Sequence, residues 1–133
     1  MKLTAAHDLR GSLSALDFSA IPFIPQRFFS VYAVPSADVR GQHAHRSCHQ
    51  FLVCLAGRVT CLVDDGARRS THLLDEPSKG LYMPPMTWGS QFNYSPDAVL
   101  GVFASLPYDA DDYIRDYAEF RELVSGGGPD ARN

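Results

Sequence analysis

Two histidines, His43 and His45, stand one residue apart in the run Arg-Gly-Gln-His-Ala-His at residues 40–45. In an extended strand, residues i and i+2 point to the same side, so both imidazoles would share one face. Imidazole has an unperturbed pKa close to neutrality, which suits such a pair either to holding a metal ion or to moving protons. The spacing alone leaves both kinds of chemistry open.

Short strands are the dominant pattern around the histidine segment. Runs that are rich in β-branched and aromatic residues predict strands over residues 27–34, 51–55, 58–63, 69–74, 88–94 and 98–104. Glycine and proline turns separate these runs, and the Asp-Asp-Gly run at 64–66 is a strong hairpin turn. This pattern is typical of an antiparallel sandwich or barrel, so we predict an all-β fold.

One helical pattern follows the strands. Its apolar residues recur at spacings of three and four, after an aspartate that can cap the first turn. These residues are Tyr113, Tyr117, Phe120 and Leu123, with Asp109 as the cap. We predict an amphipathic helix whose aromatic side packs on the barrel or on a second subunit.

Composition and charge indicate one ordinary globular domain. The chain has 133 residues, of which 45% are hydrophobic and 20% charged, enough for one core. We assign residues 1–124 to that domain and expect a disordered tail over 125–133, which opens with Ser-Gly-Gly-Gly-Pro. A net charge of -3 offers no basic surface to a nucleic acid. Without a signal-peptide core or a membrane-length apolar run, we expect a cytosolic protein with no membrane contact.

The three cysteines, Cys48, Cys54 and Cys61, are odd in number and lack CxxC spacing. The latter two lie in apolar runs that read as strands. We therefore predict buried free thiols rather than disulfides or a zinc site.

The histidine segment resembles the first sequence signature of the cupin superfamily: glycine, His-x-His, four residues, an acid, six residues and glycine. Gln50 holds the place of the acid, and the histidine expected after a second signature at 80–88 is replaced by Gly-Ser-Gln at 89–91. A metal cupin needs three or four nitrogen and carboxylate ligands. Because only two good ligands remain here, we predict no metal and favour histidines that carry protons.

Within the cupins, the chain resembles the nucleotide-sugar 3,4-ketoisomerases of the FdtA/QdtA/WxcM-like type over nearly its whole length, to about Phe120. The shared segments are Arg-Gly-Ser-Leu at 10–13, the histidine segment, Gln50, the turn at 64–66, Pro-x-x-Trp at 85–88 and the stretch 104–117, which ends in Asp-Tyr-Ile-Arg-Asp-Tyr.

The resemblance implies a cupin jelly-roll barrel with one C-terminal amphipathic helix, working as a homodimer without metal or cofactor. It also implies conversion of a nucleotide-linked 4-keto-6-deoxyhexose, expected to be dTDP-4-keto-6-deoxyglucose, into its 3-keto isomer. A PLP-dependent aminotransferase acting on the new C3 ketone is the expected pathway neighbour.

The resemblance further implies residue roles. His43 is the expected base at C3 and C4, and His45 is expected to stabilise the sugar oxygens or to relay their protons. The expected substrate-binding residues are Arg40 at the diphosphate, Arg10, Arg27, Gln50, Tyr82 and Trp88. The alternative for the arginines is a solvated charge on the barrel rim, and for the aromatic residues it is core packing.

Two positions depart from the family pattern. Phe28-Phe29-Ser30 stands where the family usually has a pair of tyrosines, and Gly89 follows Trp88 where a histidine or arginine is common. Two other functions stay open on the sequence. One is a dTDP-4-keto-6-deoxyhexose 3,5-epimerase, which shares an Arg-Gly-x-His segment but whose acid-base tyrosine we do not identify here. The other is a non-catalytic sugar-binding cupin.

Overall fold

The apolar and alternating runs in the middle of the chain form two antiparallel sheets that face each other. A computed structural model describes residues 1–125. The four-stranded sheet contains, in spatial order, β3 (Arg27–Tyr32), β10 (Val99–Ala104), β5 (Gln50–Ala56) and β8 (Gly80–Met83). The five-stranded sheet contains β11 (Tyr113–Ile114), β4 (Arg40–His45), β9 (Trp88–Phe92), β6 (Val59–Asp64) and β7 (Arg69–Leu74). Together they form a jelly-roll barrel, which confirms the predicted all-β fold.

The core lies between the inner faces of the two sheets. Leu52, Cys54, Cys61 and Leu100 are buried there, and all three cysteines are free thiols, as predicted. Strand β5 reads as one continuous apolar run because both of its faces are covered. Its alternate residues, Phe51 among them, point outward and pack beneath the segment that leads into β3.

The predicted helix begins later than its apolar spacing suggests. Asp109 does act as a cap, but of a 3-10 turn, Ala110–Asp112, where its Oδ1 accepts a hydrogen bond from the Asp111 N–H at 3.0 Å. Tyr113–Ile114 then pairs with the end of β4 as strand β11. The helix α1 spans Tyr117–Ser125. The prediction was wrong at this point because the unpaired edge of β4 offers backbone hydrogen bonds that local spacing does not reveal.

Helix α1 covers the outer face of the five-stranded sheet. Phe120 is fully buried against Trp88 and Ile114, and the Trp88 and Phe120 ring centroids lie 5.8 Å apart. Tyr117 donates a hydrogen bond to the buried Asp64 carboxylate, which ties the helix to the end of β6. Leu123 remains 39% exposed, so it does not belong to the packed stripe.

An additional hairpin precedes the barrel. Strands β1 (Thr4–Asp8) and β2 (Gly11–Ala15) pair only with each other, and all ten of their residues are exposed. The first strand is polar and lacks β-branched residues apart from its threonine. Within residues 1–125, no helix is long and apolar enough to cross a membrane. The predicted tail lies outside the described residues except Ser125, which ends α1.

Phe120→Ala should destabilise the protein by about 3–5 kcal/mol, because it removes a fully buried ring and leaves a cavity beneath the helix. Leu123→Ala, in the same helix, should change the free energy of unfolding by less than about 0.5 kcal/mol. Urea unfolding followed by circular dichroism measures both. Equal losses for the two variants would contradict the docking of α1 described above.

Candidate active site

A cavity of about 380 Å³ lies between the two sheets. The four-stranded sheet contributes residues from each of its strands, and the five-stranded sheet contributes the inward side chains of β4, β9 and β11. The polar and aromatic lining residues are Arg27, Phe29, Ser30, Arg40, His43, His45, Gln50, Thr87, Gln91, Tyr113 and Arg115. Five of the eight predicted site residues are therefore together: His43, His45, Arg40, Arg27 and Gln50.

A β-bulge brings Arg40 and His43 to the same side of strand β4. They are an odd number of residues apart, so a regular strand would point them to opposite faces. The pairing with β9 slips between them: Arg40 lies opposite Gln91 and His43 lies opposite Gly89. Gly41, inside the bulge, has a φ of +88°, a left-handed conformation that favours glycine. The Arg-Gly-x-His motif thus encodes a β-bulge, which its glycine makes possible.

The two imidazoles lie edge to face, with ring centroids 4.9 Å apart. Tyr113 packs against both rings, 4.8 Å from His43 and 4.5 Å from His45. Burial, with smaller contributions from the charges of His45 and Arg115, lowers the pKa of His43 to about 4. His43 is therefore a neutral imidazole at neutral pH, as a base must be.

His45 is the more deeply buried histidine, with 7% of its surface exposed. Its Nδ1 lies 2.9 Å from Oδ2 of Asp112. Burial lowers the pKa of His45, and the hydrogen bond and charge of Asp112 oppose that shift. The opposite ring nitrogen, Nε2, is buried and has no hydrogen-bond partner among the described residues.

Positive charge dominates the cavity although the whole chain is acidic. Arg27, Arg40 and Arg115 line it, and no Asp or Glu among the described residues does. The Arg27 guanidinium lies 4.5 Å from the centroid of the Phe29 ring, and that of Arg115 lies 4.3 Å from the centroid of Tyr113. Three guanidinium groups around one cavity form a suitable environment for a phosphate-bearing ligand.

Trp88 and Tyr82 were predicted to line the pocket, and the structure corrects both. Gly89 faces the cavity, so its neighbour Trp88 must point to the outer face, where it packs under α1. Tyr82 pairs with the outward-facing Phe51, and its hydroxyl lies 2.7 Å from Nδ1 of His49. A difference of one residue in strand position places a side chain on the other face of the sheet.

Arg10 also lies away from the cavity of its own chain. It sits at the turn of the β1–β2 hairpin, where its guanidinium forms an ion pair with Asp8 at 2.8 Å. Its side chain is 91% exposed.

Three residues of the site were missed as functional by sequence reasoning: Asp112, Tyr113 and Arg115. All three lie in the stretch 104–117 that carries the family resemblance, so the motif itself was the available signal. The apparent helical spacing led to a packing role for Tyr113. The 3-10 turn and β11 bring them instead to the histidines.

The donor atoms of His45, Cys48 and Asp112 lie within 4.8 Å of one another and form a possible metal-ligand group. Both carboxylate oxygens of Asp112 already accept hydrogen bonds, Oδ1 from the Ser47 N–H and Oδ2 from His45 and the Cys48 N–H. A metal would have to replace these bonds. The donor set therefore fits a hydrogen-bonded dyad better than a cation site.

Comparisons with known proteins agree with this geometry. The family model FdtA, described as WxcM-like, C-terminal, matches residues 1–125. A curated relative from Aneurinibacillus thermoaerophilus, TDP-4-oxo-6-deoxy-alpha-D-glucose-3,4-oxoisomerase, is 39% identical over 119 residues, which cover 89% of this chain and 86% of the relative. The chain belongs to the FdtA family.

Solved structures confirm the predicted family and its jelly-roll fold. A 3,4-ketoisomerase from Helicobacter canadensis has 35% identity and a TM-score of 0.87, over 92% of this chain and 93% of that chain. The ketoisomerase QdtA from Thermoanaerobacterium thermosaccharolyticum has 32% identity and a TM-score of 0.88, over 92% of this chain and 90% of that chain. That structure is of a histidine-to-asparagine mutant in complex with TDP-4-keto-6-deoxyglucose.

Both departures from the FdtA family pattern lie at the cavity. Gly89 lines it directly opposite His43, and a Cβ at this position would lie 2.4 Å from Cε of Met83. Met83 therefore fills the space that a side chain at position 89 would need. Phe29 lines the cavity beside Arg27. The wall of the site near these residues is thus more apolar than the family pattern implies.

His43 should titrate near pH 4 in the folded protein, instead of near 6.5. Because the unfolded chain binds that proton at a higher pH, the free energy of unfolding should fall as pH falls from about 6.5 to about 4. NMR of the histidine rings measures the pKa, and His43→Asn assigns the resonance by its disappearance. The same variant should lose stability less steeply over this pH range. A His43 pKa of 6.5 or above would contradict the buried environment.

Proposed function

We propose that this chain is a nucleotide-sugar 3,4-ketoisomerase that moves the keto group of a dTDP-linked 4-keto-6-deoxyhexose from C4 to C3. The observation that carries the proposal is the pair of neutral, buried histidines inside a cavity lined by three arginines. Membership in the FdtA family supports the reaction type. The 39% identical relative is named for this activity on TDP-4-oxo-6-deoxy-α-D-glucose, which supports that sugar nucleotide as substrate.

His43 acts as the base on carbon. The C4 ketone makes the C3 proton acidic, so a neutral imidazole beside C3 can remove it and leave an enediolate. Delivery of the proton to C4 then completes its transfer between the two carbons. The low pKa of His43 keeps the ring unprotonated before each turnover, while the adjacent arginines stabilise the negative charge that develops on the sugar oxygens.

His45 serves the oxygens. Isomerisation also requires that the proton on the C3 hydroxyl leave and that the oxygen at C4 gain one. The free Nε2 of His45 is the suitable acceptor and donor for that second proton, because its Nδ1 is engaged by Asp112. His43 thus transfers the proton between the two carbons, and His45 transfers the proton between the two oxygens.

The diphosphate binds to arginines. Arg40 and Arg27 were predicted for this role, and Arg115 adds a third guanidinium at the same cavity. Gln50 lines the cavity from β5 and provides a neutral hydrogen-bonding group for the sugar. The reaction redistributes protons within one molecule, so it needs neither a redox cofactor nor a metal.

The product identifies the class of the next reaction. A ketone at C3 condenses readily with an amine, so a PLP-dependent aminotransferase is the proposed consumer, in the synthesis of an amino deoxysugar for lipopolysaccharide or another glycan. The cytosol is the proposed compartment, since its reducing conditions suit three buried free thiols.

Purified protein in D₂O with dTDP-4-keto-6-deoxyglucose and EDTA should form the 3-keto isomer, with deuterium entering at C4 of the product and at C3 of the recovered 4-keto substrate. Proton NMR follows both the product and the exchange. His43→Asn should reduce the rate by at least about 10²-fold without preventing nucleotide binding, because it removes the base and keeps the cavity. His72→Asn, on β7 and outside the cavity, is the matched control and should keep full activity.

Other outcomes separate the alternatives. Exchange at C5 would indicate epimerase chemistry, and binding without exchange would indicate a sugar-binding cupin. Product formation that stops when EDTA is added would contradict a metal-free reaction.

The chain also works as a homodimer in this proposal. The outer face of the four-stranded sheet exposes Phe28 and Leu55 side by side over Gly101, whose missing side chain leaves room for them. All residues of the β1–β2 hairpin are exposed in the single chain. A two-stranded sheet that packs on nothing else is only marginally stable. A second copy would bury both features in one symmetric interface. In such a dimer, the hairpin can carry Arg10 to the partner's cavity.

Arg10→Ala and His43→Asn should each be inactive alone but active when co-expressed with different tags and purified as a mixed dimer. If Arg10 serves the partner's cavity, each mixed dimer contains one intact site of two, so the purified mixed dimer should recover about half of the wild-type rate. Light scattering confirms that the particles are dimers of the 14.7 kDa chain. Recovery of no activity would place the action of Arg10 within its own chain, and full activity of Arg10→Ala alone would remove Arg10 from the site.

A further inference from the structure

We propose that Asp112 is a positioning residue that fixes His45 in one tautomer and thereby makes Nε2 the working nitrogen of the site. The inference deepens the proposed isomerase function and rests on it for its effect on turnover. It concerns the last residue of the 3-10 turn that precedes β11.

The contact between Asp112 and His45 is short and shielded from water. Nδ1 of His45 lies 2.9 Å from Oδ2 of Asp112, and both side chains are only 8% exposed. A carboxylate can only accept a hydrogen bond, so Nδ1 must carry the proton. In the neutral ring, the lone pair is then on Nε2.

The protein holds the carboxylate of Asp112 rigidly. Its Oδ1 accepts the Ser47 N–H at 2.7 Å, and its Oδ2 also accepts the Cys48 N–H at 3.2 Å. Its own backbone is tied to the same loop, because its carbonyl accepts the Arg46 N–H at 2.8 Å. These three bonds join the loop after β4 to the 3-10 turn before β11, so the carboxylate cannot rotate away from the imidazole.

Nε2 is the atom left for the substrate. It is buried, belongs to a residue that lines the cavity, and has no hydrogen-bond partner among the described residues. A buried ring nitrogen without a partner is costly, and a sugar hydroxyl bound in the cavity would supply the missing donor. The structure therefore leaves this nitrogen prepared for a ligand oxygen.

The proton balance of the reaction fits this arrangement. The C3 hydroxyl gives its proton to Nε2, and Nε2 returns one proton to the oxygen at C4, so His45 ends each cycle as it began. While both ring nitrogens carry protons, the Asp112 carboxylate compensates the imidazolium charge. The other charged groups that act on His45 are Arg27 and Arg115, which both disfavour its protonation, and its remaining titratable neighbours are His43, Tyr113 and Cys48. Asp112 is thus the one anion that opposes them in this part of the described chain.

Asp112→Asn is the decisive change because it preserves size. The amide oxygen can keep the Ser47 N–H, which leaves the NH₂ group facing Nδ1 of His45. Nδ1 must then accept, and the ring proton moves to Nε2. The expected result is a fall in kcat of roughly 10²–10⁴-fold with KM changed by less than about threefold, since the wrong tautomer impairs proton transfer rather than binding.

The second readout is the ring itself. Nitrogen-15 NMR should show His45 protonated at Nδ1 in the wild type and at Nε2 in Asp112→Asn. Asp64→Asn is the matched control, because Asp64 is equally buried but bonds Arg69 and Tyr117 outside the cavity. That control should lose stability, yet keep kcat and the Nδ1-protonated tautomer.

The NMR readout needs no turnover, so it separates this inference from the proposed reaction. A wild-type His45 protonated at Nε2 would overturn the inference even if Asp112→Asn failed to fold. An unchanged kcat in a folded Asp112→Asn variant of an active enzyme would overturn it as well. Absence of isomerase activity in a wild type that has the expected tautomer would count against the proposed function alone.

Discussion

The burial of two neutral imidazoles side by side in the barrel is the constraint on which the rest of this site depends. A polar ring that leaves water must regain hydrogen bonds, and a charged one would also need an adjacent anion. The protein meets the first requirement for His45 with the Asp112 carboxylate, which three further bonds from neighbouring backbone groups hold in place. Nε2 of His45 has no hydrogen-bond partner among residues 1–125, and a substrate oxygen can supply one.

The second feature of the site is its contrast in charge with the rest of the molecule. The chain carries a net charge of -3, yet arginines supply all the side-chain charge among the described residues that line the cavity. These arginines favour a dianionic ligand. Burial lowers the pKa of both histidines, and the charges of Arg27 and Arg115 add a smaller shift in the same direction. Binding of a diphosphate would offset part of that effect, so substrate binding and the basicity of the imidazoles are physically coupled.

Alternation along the strands decides which residues share the cavity. Gly89 and Met83 face inward, so their neighbours Trp88 and Tyr82 face outward and pack against α1 and the segment before β3. The bulge at Gly41 breaks this rule once, and it thereby brings both Arg40 and His43 to the cavity. The functional spacing in the sequence therefore reflects one local irregularity in an otherwise regular sheet.

The sequence by itself determined most of the barrel strands, the free thiols, the shared face of His43 and His45, and the family, because alternation and a motif of fixed spacing are local properties. Only the tertiary structure decided that Tyr113 leaves the helical stripe and that Arg115 reaches the cavity. The open edge of β4 competes for the backbone of Tyr113–Ile114 and lies far from it in the chain. The same holds for Asp112, whose partner is 67 residues away. The face of the sheet to which Trp88 and Tyr82 point depends on strand register. Pairing with strands that are distant in the sequence sets this register, and no local pattern contains it.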